Sequence, residues 1–408
     1  MTDTLQTTLR QQAGSYRGLP PSARALFELL KRLTHGRLTV TWTDGREFVF
    51  EGDAGPMAEL TVVDGRAPWR ILRGGAMALG ESYMDGWIDT PDLPGLLALG
   101  ARNFVLERPA GLPHSPRALL HRVEQALRRN TKQQARKNIA AHYDLSNEFF
   151  ALWLDPSMTY SSALFEGAGE TLEAAQHAKR ERLLDVLDPK PGAHILEIGC
   201  GWGSFAIHAA RERDCRVTAI TISREQYDLA TTRVAEAGLT DHVEVRLQDY
   251  RDVGGHFDHV ASIEMFEAVG EKFWPAFFDS VRDRLAPGGT AGLQVITIPD
   301  WDWESYRHQI DFTQKYVFPG GFVPSPAVFR RVAEHSGLGV DEPCFFGQDY
   351  ARTLAEWLAN FDGASNSVRE LGFDERFRRM WRYYLAWCNA GFGAEYIDVM
   401  RVRLEPGR

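Results

Sequence analysis

The pattern of apolar and polar positions changes character once along the chain, at about residue 191. Before that point the periodicity predicts short elements with turn residues between them. Ser22 can cap a helix that ends before Gly36, and the apolar/polar alternation on both sides of Asp44-Gly45 is typical of a β-hairpin. The predicted elements are a helix over 22–35, strands in LTVTW and EFVF, a strand over 59–63 and a helix over 93–106. We therefore expect a small α+β domain over residues 1–110.

After residue 191, short apolar runs alternate with longer amphipathic segments. The predicted strands are HILEIG, VTAITI, VEVRL, DHVASI and AGLQVITI, with helices over 204–213, 224–237 and 271–285 between them. This alternation predicts an α/β fold with a doubly wound parallel sheet and helices on both faces. Aromatic-rich helices over 350–396 and a strand over 399–404 follow. The predicted boundaries are a linker over 111–140 and a catalytic domain over 141–408.

A glycine-rich turn follows the first strand of this α/β region, in the segment LEIGCGWGSFAIHAA. Gly199, Gly201 and Gly203 allow a tight turn and a close approach of the backbone to a ligand at the start of a helix. The spacing E-x-G-x-G-x-G differs from the dinucleotide pattern G-x-G-x-x-G, so we expect another nucleotide-like cofactor. Glu197 would hold the amino-acid part of that cofactor, and the alternative is a structural carboxylate in the loop.

Polar residues also follow the second and third strands, at the sheet edge where doubly wound folds bind ligands. The second strand ends in TIS, without the acidic residue that usually holds a ribose, so Thr221 and Gln226 are the predicted hydrogen-bonding groups. Gln248 and Asp249 would lie at the adenine edge.

Charge is distributed unevenly in a chain whose net charge is −9. Nine Lys and Arg residues stand against two acidic residues between Arg102 and Lys137. This basic segment could contact anionic lipid headgroups or nucleic acid, or it could be a solvated helix face. Because the rest of the chain is acidic, we expect no nucleic-acid partner.

Four widely spaced cysteines offer no metal-ligand pattern and no disulfide framework, which is typical of a reducing cytoplasm. We predict no metal site. The N-terminus has no signal-peptide core, and no window approaches the roughly 20 apolar residues of a membrane span. The expected location is cytoplasmic, peripheral to the inner face of the membrane.

Eight segments in order along the chain resemble the cyclopropane-fatty-acyl-phospholipid synthase family, which includes the mycolic acid cyclopropane synthases. They are GESYMDGW, HYDLSNEFF, MTYSSALF, LEIGCGWG, TISREQ, LQDYRD, FEAVG and KYVFPGG. The resemblance implies a class I methyltransferase (Rossmann-like) fold, S-adenosyl-L-methionine as cofactor and a hydrophobic tunnel for an acyl chain. It also implies that Tyr160 and Ser161 hold the methionine end of the cofactor.

The implied chemistry is attack by a carbon–carbon double bond on the sulfonium methyl group, which leaves a carbocation on the acyl chain. Aromatic faces can stabilise such a cation, and the candidates are Phe266, Tyr306, Tyr316 and Phe318. A base must then remove a proton. Loss from the new methyl group gives a cyclopropane ring or a methylene group, and loss elsewhere leaves an intact methyl branch.

The resemblance implies bound bicarbonate as that base, held by five residues. Glu267, Tyr350 and the Ile296 amide match the family pattern, whereas Ser162 stands in place of a cysteine and Gln294 in place of a histidine. Two of the five implied ligands are thus replaced, which favours a methylated or methylene product over ring closure. Glu267 could then act as the base itself if burial raises its pKa, with Glu264 as the competing candidate.

The expected function is therefore transfer of a one-carbon unit to the double bond of an unsaturated fatty acyl chain in membrane phospholipid. Two alternatives stay open: N-methylation of a small amine on the same scaffold, and a non-catalytic lipid-binding relative. The expected partner is the surface of a phospholipid bilayer. Two protein partners also stay open, a second copy of the chain in a homodimer and a separate reductase that would complete the product.

Overall fold

The structure is a computed structural model that describes residues 16–105 and 145–407. The linker predicted over 111–140 and the basic residues from Arg108 to Lys137 lie outside the described residues. The predictions made for them stay predictions.

The N-terminal elements follow the predicted order, with one long helix added. They are α1 (Pro21–Leu30), β1 (His35–Thr41), β2 (Glu47–Glu51), β3 (Asp53–Val62), α2 (Ala67–Met84), β4 (Ile88–Asp89), α3 (Leu93–Gly100) and a π-helical turn (Ala101–Val105). β1 and β2 form the predicted antiparallel hairpin, and β3 pairs with β1 in parallel in a sheet of order β2-β1-β3-β4. Gly75 interrupts α2 with φ of 58°, a conformation that glycine adopts at little cost.

The elements from residue 145 alternate between strand and helix as the sequence predicts. They are α4 (Asn147–Ala151), α5 (Leu172–Leu187), β5 (His194–Ile198), α6 (Ser204–Arg213), β6 (Arg216–Thr221), α7 (Arg224–Glu236), β7 (Val243–Leu247), β8 (Phe257–Ile263), α8 (Trp274–Arg284), β9 (Leu285–Thr297), α9 (Trp303–Tyr306), α10 (Phe312–Tyr316), α11 (Pro326–His335), β10 (Leu338–Val340), β11 (Cys344–Phe345), α12 (Gly347–Gly363), α13 (Ser365–Glu370), α14 (Glu375–Gly393) and β12 (Asp398–Pro406). Short 3-10 turns lie at Tyr250–Asp252, Phe266–Ala268, Glu271–Phe273 and Asp300–Asp302.

The large sheet has the order β10-β12-β9-β8-β5-β6-β7, with β11 paired to β12. The five strands β5 to β9 are mutually parallel, but β12 pairs with β9 in antiparallel register, from Asp398 opposite Thr297 to Leu404 opposite Ala291. The five strands from which the sequence predicts a parallel sheet are therefore parallel, and β12, for which no direction was predicted, adds an antiparallel strand. The chain enters β12 at the end where β9 finishes, so the two strands must run in opposite directions.

Two buried clusters cover the sheet. Side chains of α8 and α11 pack in one cluster with β8 and β9, and side chains of α5 and α6 pack in another with β5 and β6. Helices on both faces leave the carboxyl ends of the parallel strands as the edge at which a ligand can approach. The fold is the predicted α/β class I methyltransferase arrangement.

The described chain divides into two compact units. The first contains residues 16–105 together with Ser365–Tyr396, and the second contains 145–364 together with Ile397 to the end of the described chain. The sequence placed 365–396 inside a continuous catalytic domain, so this grouping differs from the predicted boundaries. The reason lies in α14, where Arg379 donates to the backbone oxygens of Tyr83 and Ile88, and Arg376 pairs with Asp85.

Candidate active site

The glycine loop lies between β5 and α6, with Gly199, Gly201 and Gly203 at φ of 84°, 52° and 84°. A Cβ added at Gly199 would lie 2.6 Å from Cγ of Met265, so this glycine is needed for packing as well as for its backbone conformation. A Cβ at Gly201 would meet no atom within 4 Å. The loop is therefore closed at Gly199 and open at Gly201, where a ligand can approach the backbone.

Glu197 lies one residue before the end of β5 and is only 3% exposed. Burial raises the pKa of its carboxyl to about 8, against the opposing charge of Lys179. Its Oε2 is buried with no hydrogen-bond partner among the described residues. A buried acceptor without a partner is costly, and the amino group of a bound S-adenosylmethionine would supply the missing donor.

The segment MTYSS is held over the start of α6 by polar contacts. Thr159 Oγ1 donates to Ser204 Oγ at 3.1 Å, and Arg180 donates to the hydroxyls of Ser157 and Thr159. Ser161 Oγ accepts from Lys179 Nζ at 2.6 Å. The two residues predicted to hold the methionine end, Tyr160 and Ser161, thus belong to a segment that contacts the glycine-loop helix.

Lys179 is a candidate functional residue that the sequence reasoning missed. It is fully buried on α5, and burial lowers the pKa of its ammonium, while the charge of Glu264 opposes that effect. The signal was available, because Gln176, Lys179 and Leu183 share one face of α5 at helical spacing with apolar neighbours. A lysine in the middle of such a face is rarely buried without a partner.

Aromatic rings surround Tyr160. Its ring lies 5.5 Å from Phe150, 5.3 Å from Trp153 and 5.4 Å from Trp357, and it stacks on Phe318 at 6.3 Å. Of the four predicted cation-stabilising rings, Phe318 therefore lies beside the cofactor segment.

The other three predicted rings make contacts elsewhere. Phe266 is 1% exposed and packs among core rings of α8 and α11. Tyr306 packs on Phe322, and Tyr316 packs on Phe312. For Phe266, complete enclosure by other rings means that it is a core residue.

Thr221 is the last residue of β6, and Gln248 and Asp249 directly follow β7. Thr221 Oγ1 donates to Gln226 Oε1 at 2.7 Å, and both side chains are buried. The Gln248 backbone amide donates to the Thr221 carbonyl, which brings the ends of β6 and β7 together. Asp249 is 2% exposed and forms a two-bond ion pair with Arg251, so its carboxylate is already engaged.

A second polar cluster lies at the ends of β8 and β9, and its centre is Glu264. Glu264 Oε1 accepts from the Ser162 amide at 2.8 Å and from Gln294 Nε2 at 2.7 Å, and Oε2 accepts from the Tyr350 hydroxyl at 2.7 Å. Three of the five residues that the resemblance assigns to a bound anion therefore converge on a carboxylate of this chain. The Ser162 hydroxyl is turned away, since it donates to the Ala163 carbonyl.

The remaining two predicted residues, Glu267 and Ile296, contact each other. The Ile296 amide donates to Glu267 Oε1, and Oε2 of Glu267 is buried without a hydrogen-bond partner among the described residues. Burial raises the pKa of Glu267 to about 8, and the nearby charge of Glu264 adds to the shift. Glu267 is therefore mostly neutral at pH 7. A raised pKa of this kind is the condition under which the sequence analysis allowed Glu267 to act as the base.

Burial also raises the pKa of Glu264, and it outweighs the polar and charged groups that oppose it. The Tyr350 hydroxyl, the Lys179 ammonium and the amides of Ser162 and Gln294 all favour the charged form. Hydrogen bonds to a carboxylate stabilise its anion, so the charged form of Glu264 receives support from three donors, whereas Glu267 has one among the described residues. Two neighbouring carboxyls in different protonation states are a recurring arrangement in acid–base sites.

Among the described residues one group has the composition of a metal site, although the sequence predicted none. His177, Glu181 and His208 offer ligand atoms within 4.8 Å of one another. Arg213 pairs with Glu181 and with Asp185, so the carboxylate charge that would attract a cation is already balanced.

Comparison with known sequences gives consistent matches. A family profile described as mycolic acid cyclopropane synthetase matches residues 130–402. The chain is 40% identical over 390 residues to tuberculostearic acid methyltransferase UfaA1 of Mycobacterium tuberculosis, covering 93% of this chain and 90% of that protein. It is 36% identical over 348 residues to the cyclopropane-fatty-acyl-phospholipid synthase of Escherichia coli K12, covering 83% of this chain and 85% of that protein.

Solved structures agree with the fold. A mycolic acid cyclopropane synthase, CmaA1, complexed with SAH and CTAB, superposes with a TM-score of 0.63 at 31% identity over 66% of this chain and 97% of that chain. Coclaurine N-methyltransferase superposes with a TM-score of 0.64 over 80% of this chain and 98% of that chain, but at 22% identity, and this likeness shows the fold alone. None of the described helices is long and apolar enough to cross a membrane.

Proposed function

The chain belongs to the mycolic acid cyclopropane synthetase family and is an S-adenosylmethionine-dependent methyltransferase, and from this premise we propose that it modifies the double bond of an unsaturated acyl chain in a membrane phospholipid. The relatives are named for fatty acyl, mycolic acid and tuberculostearic acid substrates. These relatives support transfer of a one-carbon unit to such chains, as methylation or cyclopropanation. We propose in addition that the acyl chain belongs to a phospholipid and that the product is a methylated or methylene-bearing chain.

The observation that carries the proposal is the carboxyl pair of Glu264 and Glu267. Transfer to an amine nitrogen uses a lone pair and needs little beyond binding and orientation. Transfer to a carbon–carbon double bond leaves a carbocation that must lose a proton to a base. A held carboxylate at the same sheet edge as the glycine loop supplies that base, which is why we favour an alkene over an amine.

Different residues of this chain would bind the cofactor and stabilise the positive charge that develops. When bound, S-adenosylmethionine supplies an electrophilic methyl group. Glu197 and the open backbone at Gly201 would hold it, with the MTYSS segment over the same end of α6. Tyr160 and Phe318 would present aromatic faces to the developing positive charge.

An exposed patch on the first unit supports contact with a bilayer surface. Trp69 and Leu72 on α2 are 56% and 38% exposed, and the Arg73 guanidinium lies over the Trp69 ring at 5.2 Å. Tryptophan and arginine side by side suit the headgroup region of a membrane. We propose this patch as a membrane contact of the enzyme.

The substrate is tested with phospholipid vesicles that contain monounsaturated acyl chains and with methyl-deuterated S-adenosylmethionine. We expect deuterated acyl chains after transesterification and mass spectrometry. Two deuterons retained would show that the proton left the transferred methyl group, and three would show an intact methyl branch. Labelling of free fatty acids but not of vesicle phospholipid would refute the phospholipid substrate, and no labelled acyl product would refute the lipid function.

The membrane contact is tested by vesicle sedimentation of matched variants. Leu72→Ala should weaken binding to anionic vesicles about tenfold, because it removes three partly exposed carbon groups whose burial at the membrane contributes up to roughly 0.8 kcal/mol each. Leu371→Ala is the control, since Leu371 lies in the same unit and is 41% exposed. Equal binding by both variants would remove this patch from the proposal.

A further inference from the structure

We propose that Glu264 is a built-in replacement for the bound anion, so that this enzyme carries its proton acceptor covalently and works without bicarbonate. The part of this inference that concerns turnover rests on the proposed function. The part that concerns what occupies the site does not, because it follows from the contacts of Glu264 alone.

The first argument is the identity of the donors. The resemblance assigns the positions of Ser162, Gln294 and Tyr350 to an anion, and in this structure all three donate to the carboxylate of Glu264 at 2.7–2.8 Å. A carboxylate and bicarbonate present the same planar pair of oxygens to such donors. A second anion would have to compete with Glu264 for every one of these hydrogen bonds.

The second argument is backbone strain. Glu264 has φ of 49°, in the left-handed region that a non-glycine side chain rarely adopts. Its amide donates to the Gln294 carbonyl at 2.8 Å, which fixes this conformation directly after β8. Strained positions of this kind concentrate at functional sites. This backbone conformation places the Glu264 carboxylate among its three donors, which explains why a glutamate occupies the position.

The third argument is the free capacity of the carboxylate. Oε1 receives two donors, whereas Oε2 receives only the Tyr350 hydroxyl among the described residues. A carboxylate oxygen has two lone pairs, so Oε2 can accept a proton without losing its contact with Tyr350.

In the proposed step the acyl double bond is the nucleophile and Glu264 is the proton acceptor. The π electron pair of the acyl double bond forms a bond to the methyl carbon as the carbon–sulfur bond breaks, and that bond pair remains on sulfur. The positive charge passes to the neighbouring acyl carbon. A carbon–hydrogen bond beside it gives its electron pair to the cation, and Glu264 Oε2 takes the proton, which later leaves to water.

The replaced residues fit this assignment. Ser162 contributes its backbone amide and Gln294 its side-chain amide, and neither contributes an acidic or basic group that would compete for the proton. Ser162 and Gln294, the two residues that depart from the family pattern, are therefore hydrogen-bond donors to a carboxylate of the chain. They do not leave a free anion without two of its ligands.

The first test measures binding of ¹³C-bicarbonate to the substrate-free protein by NMR. The native protein should bind none at the site, whereas Glu264→Gly should bind one equivalent, because it opens the space and relieves the positive φ without threatening the fold. Glu264→Gln is the matched control, since its amide fills the space and should bind none. One equivalent bound by the native protein, or none bound by Glu264→Gly, would overturn the inference.

The second test measures turnover in buffer depleted of bicarbonate. The native rate should change less than twofold, and Glu264→Gly should lose about 10²–10⁴-fold and recover partly when bicarbonate is added. A native enzyme that stops without bicarbonate would contradict the inference, as would a Glu264→Gly variant that keeps its full rate. If the native protein modifies no acyl chain at all, the proposed function fails, and the binding test still decides what occupies the site.

Discussion

The cofactor end and the base end of the sheet lie at the same edge but are built in different ways. At the cofactor end, one continuous stretch from Glu197 to Gly203 supplies the acidic residue, the turn and the helix start. At the base end, Glu264 takes its three donors from positions 162, 294 and 350, which lie 102, 30 and 86 residues away in the chain. The first is a local structure and the second exists only in the folded protein.

This difference predicts how each end responds to substitution. In the proposed site several backbone groups of one loop would bind the cofactor together, so the loss of one side chain there should be tolerated. The base end depends on a single carboxylate in a fixed position, so the loss of that group should lower turnover strongly. Substitutions at the two ends test this contrast, and the largest effect is expected at the base end.

Glu264→Gln should lower turnover by about 10²–10⁴-fold and leave the affinity for S-adenosylmethionine unchanged, because it removes a base without emptying its space. The measurement is kcat on phospholipid vesicles beside cofactor titration by calorimetry. Glu267→Gln is the matched comparison three residues away. Its carboxyl is already mostly neutral at pH 7, so it should keep most of the activity, and the opposite ranking would make Glu267 the base.

Glu267→Gln should also stabilise the protein, and the gain should grow with pH. Burial raises the pKa of Glu267 to about 8 in the folded state from an ordinary 4.5, so between these values the unfolded chain has lost a proton that the folded chain keeps. Stability therefore falls as pH rises through this window, and the amide removes the loss. We expect roughly 4 kcal/mol in the free energy of unfolding at pH 8 and little at pH 4.5.

The control for this stability measurement is Glu236→Gln, an exposed carboxylate at the end of α7. Denaturant unfolding at several pH values separates the two variants. A pH-independent difference between Glu267→Gln and the native protein would show that the carboxyl of Glu267 is not kept neutral by burial.

The contrast also explains how much could be predicted from sequence. Gly199, Gly201 and Glu197 lie in one motif whose spacing alone indicates a strand, a turn and a helix, and the structure has these elements. Glu264 was considered only as a competitor of Glu267, because the hydrogen bonds that single it out join residues far apart in the chain. Lys179 was missed because it belongs to no motif. Only its position on the apolar face of α5 indicates that it is buried.

Tyr350→Phe should reduce turnover about tenfold and shift its pH dependence. The hydroxyl donates to Glu264 Oε2 and lowers the pKa of that carboxyl, so its removal raises the pKa. The acid limb of the kcat profile should then move to higher pH, and part of the lost rate should return as pH rises. A uniform loss at every pH would mean that Tyr350 packs against the site without tuning Glu264.

Thr221→Val tests the tolerance of the cofactor end and should give the smallest effect on function. The change keeps the shape of the side chain and removes a buried hydroxyl that donates to Gln226 and accepts from the Ser223 amide. We expect about 1 kcal/mol less stability, and cofactor affinity weaker by only about two- to fivefold, since roughly 1 kcal/mol is the share of one hydrogen bond. The measurement is cofactor titration beside denaturant unfolding.

Thr218→Val is the control for this last prediction, because Thr218 lies on the same strand, is 2% exposed and makes one side-chain contact, with His194. It should cost a similar stability and leave cofactor affinity unchanged, because its hydroxyl bonds away from the strand end. If Thr221→Val weakened cofactor binding a hundredfold while Thr218→Val did not, the cofactor end would depend on a single side chain as strongly as the base end does. The two ends would then differ only in how they are encoded along the chain, and not in how they work.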